Sequence, residues 1–302
     1  MNFRSNGKLL LTAEYLILDG AIGLAVPTKL GQSLKVSDYE GDLLQWECLD
    51  DEGTVWFHGL FNIQTASVVS STDESIAEEL LRILVETKKL NPLFSLRGKA
   101  VTCRLDFPLN WGLGSSSTLR INLANWAGVS PFDLHRATSS GSGYDIAAGM
   151  ASSPVLFSVS ESYKTEEVDY QPSFHDQLFF VHLNRKQKSD KEVASYSSLK
   201  KELDVSYSIT AITELTYRFL KAGNLEEFEL IMKEHELFMS LVLQRPTIKE
   251  TLFYDYNLGA IKSLGAWGGD FILATGKSED KVRNYFAEKG YQTVLPYSNL
   301  IV

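Results

Sequence analysis

From Phe3 to about Trp56, short apolar stretches with β-branched residues alternate with glycine and acidic turns, which predicts strands joined by hairpins. The rhythm lengthens between Asp73 and Lys89. There Ile76, Leu80, Leu81, Leu84 and Val85 form one stripe of a helix, with Arg82 and Lys88 on its polar face. Strands are predicted at Ala100 to Phe107 and Pro154 to Val159, with a helix from Thr118 to Ala127 between them. The segment from Thr118 to Ser140, broken at Val129-Ser130-Pro131, has room for one ordinary helix and one short one. A polar stretch, Ser160 to Asp176, contains Pro172 and reads as a domain junction. Beyond it Leu178 to Leu183 reads as a buried strand. Two long helices follow, Tyr207 to Ala222 and Asn224 to Leu243, parted by Gly223, and Pro246 ends the second or initiates the next turn. A strand at Phe271 to Thr275, a charged helix at Ser278 to Lys289 and a last strand near Thr293 to Leu295 complete the chain. This alternation predicts an α+β protein of two domains, residues 1–165 and 166–302, with its active site in the cleft between them.

The stretch Pro108-Leu109-Asn110-Trp111-Gly112-Leu113-Gly114-Ser115-Ser116-Ser117 stands between a strand and a helix. A chain that turns through glycines into a helix N-terminus presents unpaired N–H groups to one point, which the helix dipole makes suitable for a phosphate. Gly112 and Gly114 allow positive φ and close approach, and the serines add hydroxyl donors or a metal ligand. Taken alone, the same residues could form a loop with a serine N-cap.

Two other glycine-bearing segments bear on that choice: Gly7-Lys8-Leu9 through Glu14-Tyr15 to Gly20, and Gly259 through Gly265-Ala266-Trp267-Gly268-Gly269-Asp270 to Ala274. With the central loop they resemble, in order and spacing, the three motifs of the GHMP kinases, the family of galactokinase, homoserine kinase, mevalonate kinase and phosphomevalonate kinase. Pro108 to Ser116 matches the family form P-x-x-x-G-L-G-S-S residue for residue. The resemblance implies the two-domain GHMP kinase fold with a ferredoxin-like C-terminal domain, and ATP as phosphate donor with Mg²⁺. It implies that Pro108, Gly112, Leu113, Gly114, Ser115, Ser116 and Ser117 wrap the nucleotide phosphates. The string is not the G-x-x-x-x-G-K-S/T loop, so no lysine lies inside it and charge must be neutralised from elsewhere.

Gly141-Ser142-Gly143-Tyr144-Asp145 resembles the family's G-S-G-x-D segment, which makes Asp145 the expected catalytic carboxylate; a plain helix cap is the other reading of such an acid. Lys8 takes the place of the lysine of the family's G-K motif, where it would stabilise developing negative charge; an exposed strand-end lysine is the other reading. Glu14 and Tyr15 match an acidic–aromatic pair and are expected to be architectural or substrate-facing. Ser142, Gly143, Gly265, Gly268 and Gly269 are expected beside the substrate. Trp267 stands where the family's third motif usually has glycine, and its β-carbon requires a loop path without strongly positive φ. No acidic metal ligand is evident between the phosphate loop and Asp145 other than Asp133. Ser116 and Asp145 are therefore the expected contacts for Mg²⁺.

Composition narrows the function classes. A chain of 302 residues with 44% hydrophobic content can bury a large core. Its net charge of −9 argues against general nucleic-acid binding. The two cysteines, Cys48 and Cys103, form no metal pattern and suit a reducing cytoplasm, and the five histidines show no zinc spacing. No signal peptide or membrane span is expected. After the strand at Leu178, the run Asn184 to Lys191 is basic. It is either a solvated loop or, through Arg185, Lys186 and Lys188, a site for a phosphorylated substrate.

Glu14-Tyr15, the G-S-G-x-D segment and the Gly-Gly-Asp ending of the third motif lean towards the phosphomevalonate kinase branch. The expected partner is thus a small phosphate-bearing alcohol. Mevalonate kinase is the next reading, followed by a diphosphomevalonate decarboxylase-type lyase or a catalytically silent binding protein on the same scaffold.

Overall fold

The computed structural model describes residues 1–159, 163–185, 189–200 and 204–302, the side chains of 189–191 excepted. The chain packs as two compact units. They are interleaved in sequence and do not part at residue 165: Lys8–Lys29 and Asn110–Gly112 count with the second, because β1 (Asn2–Leu10) and β2 (Gly23–Asp38) each contribute residues to both.

The first unit comprises Met1–Gly7, Leu30–Leu109 and Leu113–Met150. Its strands run in the order β5 (Ser67–Ser71), β4 (Val55–Asn62), β3 (Leu44–Leu49), β6 (Lys99–Leu105), β2. All neighbours are antiparallel except β3 and β6. In that parallel pair Cys48 lies in register with Cys103, and both are free and buried. Helix α1 (Glu74–Leu90) begins at Asp73, whose side chain accepts from the Ile76 N–H, and its buried stripe includes Leu80, Ile83 and Leu84. With α2 (Ser115–Ala127) and α3 (Pro131–Thr138) it covers a core of Trp46, Phe57, Phe61, Val101, Leu123 and Leu134. Helix α4 (Tyr144–Met150) lies close on α2 and β1. A Cβ at Gly149 would stand 2.6 Å from Ile121 Cδ1 and 3.1 Å from the Asn6 carbonyl oxygen.

In the second unit the start of β2 pairs with β7 (Val155–Ser158), which pairs with β8 (Lys164–Glu167). A separate antiparallel sheet has the order β10 (Ile261–Ser263), β11 (Phe271–Thr275), β9 (Leu178–His182), β12 (Val294–Pro296). Every residue of β9 is buried, as expected of a continuous apolar run covered on both faces. Phe179 and Val181 join Phe253, Tyr256 and Phe286 in one cluster. Phe180 instead stacks on Tyr297. The remaining helices are α5 (Ser189–Leu199), α6 (Ser206–Lys221), α7 (Leu225–Leu243), α8 (Ile248–Leu252), α9 (Glu279–Glu288) and α10 (Tyr297–Leu300). Asn224 caps α7 through the Glu227 N–H.

Candidate functional site

After β6 the chain passes through Pro108 to Gly114 and enters α2 at Ser115. Gly114 sits at φ 95°, ψ 41°, a left-handed conformation that costs residues with a β-carbon about 1–2 kcal/mol. No side chain caps the helix. Instead three donors fold back on the Gly114 carbonyl: the Thr118 N–H at 2.9 Å, Ser117 Oγ at 2.9 Å and Thr118 Oγ1 at 3.1 Å. The first-turn N–H groups are thus left without a side-chain acceptor, at the end of the helix where the dipole favours an anion. Ser115 is half-buried and Ser116 exposed. Ser117 departs from expectation: its side chain is buried and its hydroxyl is committed to Gly114, so it serves the loop's shape and not a ligand. Leu113 is buried and half-buried Pro108 has no donor, so both shape the turn.

Asp145 lies in the first turn of α4, half-buried, with Oδ1 accepting from the Ile146 N–H at 3.1 Å. The turn before it is tightly tied. Gly143 has φ 90°, Ser142 Oγ accepts from the Tyr144 N–H at 3.4 Å, and His135 Nε2 donates to the Gly141 carbonyl at 3.0 Å. Ser142 is itself buried, so its hydroxyl supports the turn and does not face a substrate.

The first half of the loop, Asn110–Gly112, packs within the second unit. There the Lys8 ammonium donates to the Gly112 carbonyl at 3.2 Å, so a cation reaches the loop from β1. Gly112 has φ 64°, and the Asp270 side chain fills the place a β-carbon would take. His182 Nε2 donates to the Asn110 carbonyl at 3.1 Å, while its Nδ1 accepts from the Asn184 N–H at 3.3 Å. That pattern selects the tautomer with the proton on Nε2. The Trp111 ring meets Phe271 edge-on, with centroids 5.7 Å apart.

No family model matches the sequence, and no curated protein sequence matches it. Solved structures do resemble it. A Lin0012 protein from Listeria innocua has a TM-score of 0.73 at 16% identity, covering 98% of this chain and 96% of that one. Streptococcus pneumoniae phosphomevalonate kinase, in complex with phosphomevalonate and AMPPNP, gives 0.69 at 16%, covering 96% and 97%. Methanococcus jannaschii mevalonate kinase gives 0.68 at 14%, covering 96% and 94%. The fold is that of the GHMP kinases.

The segment that resembles the third GHMP motif departs from that pattern at Trp267. Gly265 and Gly268 carry positive φ, 63° and 66°, whereas Trp267 does not. Trp267 is buried; its N–H donates to Tyr15 Oη at 2.8 Å and its indole Nε1 to the Pro246 carbonyl at 3.1 Å. At Gly269 a β-carbon would run into the Ala266 carbonyl. Tyr15 Oη is thus tied to this loop, and Glu14 has no exposed surface. Glu14 Oε1 pairs with the Lys262 ammonium, also fully buried. Burial lifts the Glu14 carboxyl to about 7 against the pull of Lys262. His235 Nε2 accepts from the Ala13 N–H at 3.1 Å, and burial holds its pKa well below the usual range. His235 is therefore neutral, and its 3.4 Å approach to Glu14 is no ion pair.

Arg185 is exposed beyond β9; Lys186 and Lys188 lie outside the described residues. Among the described residues no group of three or more His, Cys, Asp or Glu is placed to hold a metal ion. Asp145 offers a carboxylate, which Mg²⁺ takes readily alongside phosphate oxygens and water. Ser116 does not fit that role, because its Oγ accepts from the Arg120 guanidinium and a cation already holds that oxygen. Sequence reasoning missed Arg120, His182 and Lys262, and used Asp270 only as the end of the Gly-Gly-Asp segment. Arg120 alone had a local signal, as the single charge in α2, four residues beyond Ser116.

Proposed function

We propose that this protein is an ATP-dependent small-molecule kinase whose acceptor is a phosphate-bearing alcohol of the phosphomevalonate type. The observation that carries the reading is the uncapped N-terminus of α2 behind Gly114, an anion site built from main-chain donors. In this reading Ser115 and the first-turn N–H groups bind the phosphates, and Lys8 supplies the cation that the loop itself lacks. Asp145 takes the proton of the acceptor hydroxyl or phosphate as the acceptor oxygen bonds to the γ-phosphorus of ATP and the bond from that phosphorus to the β,γ-bridging oxygen breaks, releasing ADP. Mg²⁺ entering with the nucleotide would neutralise phosphate charge, with Asp145 as its protein ligand. Arg185, Lys186 and Lys188 would recognise the phosphate already on the acceptor, which is why a phosphorylated acceptor is preferred over mevalonate.

The pneumococcal enzyme of similar fold binds phosphomevalonate and an ATP analogue, which supports this choice of substrates. An ADP-release assay across phosphomevalonate, mevalonate, galactose and homoserine tests it. Turnover is expected with the phosphorylated alcohol above the others. A folded protein that releases no ADP with any of the four would refute the kinase reading.

A further inference from the structure

Arg120 lies one turn beyond Ser116 on α2 and is buried. Its guanidinium is held from behind within the first unit. Nε donates to Thr138 Oγ1 at 2.9 Å, and Nη2 donates to the Thr138 carbonyl at 3.3 Å and to Glu79 Oε1 at 3.5 Å. In front, Nη1 donates to the Ser116 carbonyl at 3.2 Å and to Ser116 Oγ. Glu79 shares its carboxylate between Arg120 and Arg82. It is half-exposed and already engaged by Arg82 through two bonds of 2.8 and 2.9 Å.

A serine hydroxyl has one proton and two acceptor lone pairs. With the guanidinium donating into one lone pair, the Ser116 proton is left for an anion, and the neighbouring positive charge opposes a divalent cation at the same oxygen. We propose that Arg120 is a positioning residue of the phosphate loop, holding Ser116 as a hydrogen-bond donor to a nucleotide phosphate and not as a metal ligand. The proposal rests on the nucleotide-binding reading above. It assigns Arg120 a task distinct from stapling α2 to α3.

Calorimetric titration of the full chain with AMPPNP, once in excess Mg²⁺ and once in EDTA, tests it. Ser116→Ala should weaken binding about tenfold, and by the same factor in both conditions. Arg120→Met should weaken it about tenfold or more, Arg120→Lys should restore part of the loss, and Ser116→Ala/Arg120→Met should bind no worse than Arg120→Met alone. A Ser116→Ala loss confined to Mg²⁺ would make the serine a metal ligand and overturn the proposal. So would additive losses in the double variant, or an Arg120→Met protein with a lowered melting temperature and unchanged affinity. If Arg120→Met does not fold, the Ser116→Ala comparison with and without Mg²⁺ decides by itself. A wild-type chain that binds no nucleotide in either condition overturns the kinase reading, and the proposal with it. Wild-type binding that Arg120→Met leaves intact overturns the proposal alone.

Discussion

Replacing Glu14 with Gln tests the charge cluster buried in the second unit. Burial raises the Glu14 carboxyl from 4.5 to about 7, although Lys262 pulls it down. Between these values the native state holds a proton that the unfolded chain has released. Stability therefore falls with rising pH by about 1.4 kcal/mol per unit, roughly 3 kcal/mol over the whole window. The contribution is fully present below pH 4.5 and lost as pH passes 7. Glu236, also raised by burial, works in the same direction. His235 works against both: its folded pKa is depressed, so stability rises as the unfolded imidazole loses its proton near its ordinary value of 6.5. A single pH profile mixes the three groups. The difference between Glu14→Gln and wild type isolates one of them, because the amide stands in for the protonated acid and cannot titrate. Urea unfolding followed at several values between about pH 4.5 and about pH 8 should show this difference moving in favour of the variant by roughly 3 kcal/mol. Parallel profiles would refute the argument and mean that Lys262 fully offsets the desolvation of ionised Glu14.

Gly112→Ala should cost about 1–2 kcal/mol for its positive φ and more for the clash with Asp270. Gly112→Ala/Asp270→Ala should recover only the second part, read by unfolding and by the Michaelis constant for ATP. Asp145→Asn should keep the fold and nucleotide affinity while lowering kcat by about 10²–10⁴-fold, as loss of a general base does; near-normal turnover would remove the carboxylate from the chemistry. Arg185→Ala should raise the Michaelis constant of a phosphorylated acceptor several-fold and spare an unphosphorylated one, and an equal effect on both would discard the phosphate-recognition role.

The order of the elements was legible in the sequence because helix and strand periodicity is local. The helix expected at Asp73 to Lys89 is α1 with Asp73 as its cap, and the strand at Phe271 to Thr275 is β11. The glycine–serine turn and the G-S-G-x-D segment were legible for the same reason, each being a contiguous run whose backbone demands follow from its own residues. Partnerships were not legible. The hydroxyl of Ser117 turns inward and that of Ser116 meets Arg120, so two adjacent identical residues diverge through helix geometry alone. Lys8 reaches Gly112 across 104 positions, Glu14 meets Lys262 across 248, and Cys48 faces Cys103 only because β3 and β6 run parallel. Composition and spacing along the chain determined which segments become helix, strand and turn. Which charges are buried together, and which hydroxyl remains free to meet a ligand, was decided by tertiary packing, since desolvation and pairing depend on neighbours that only the folded chain supplies.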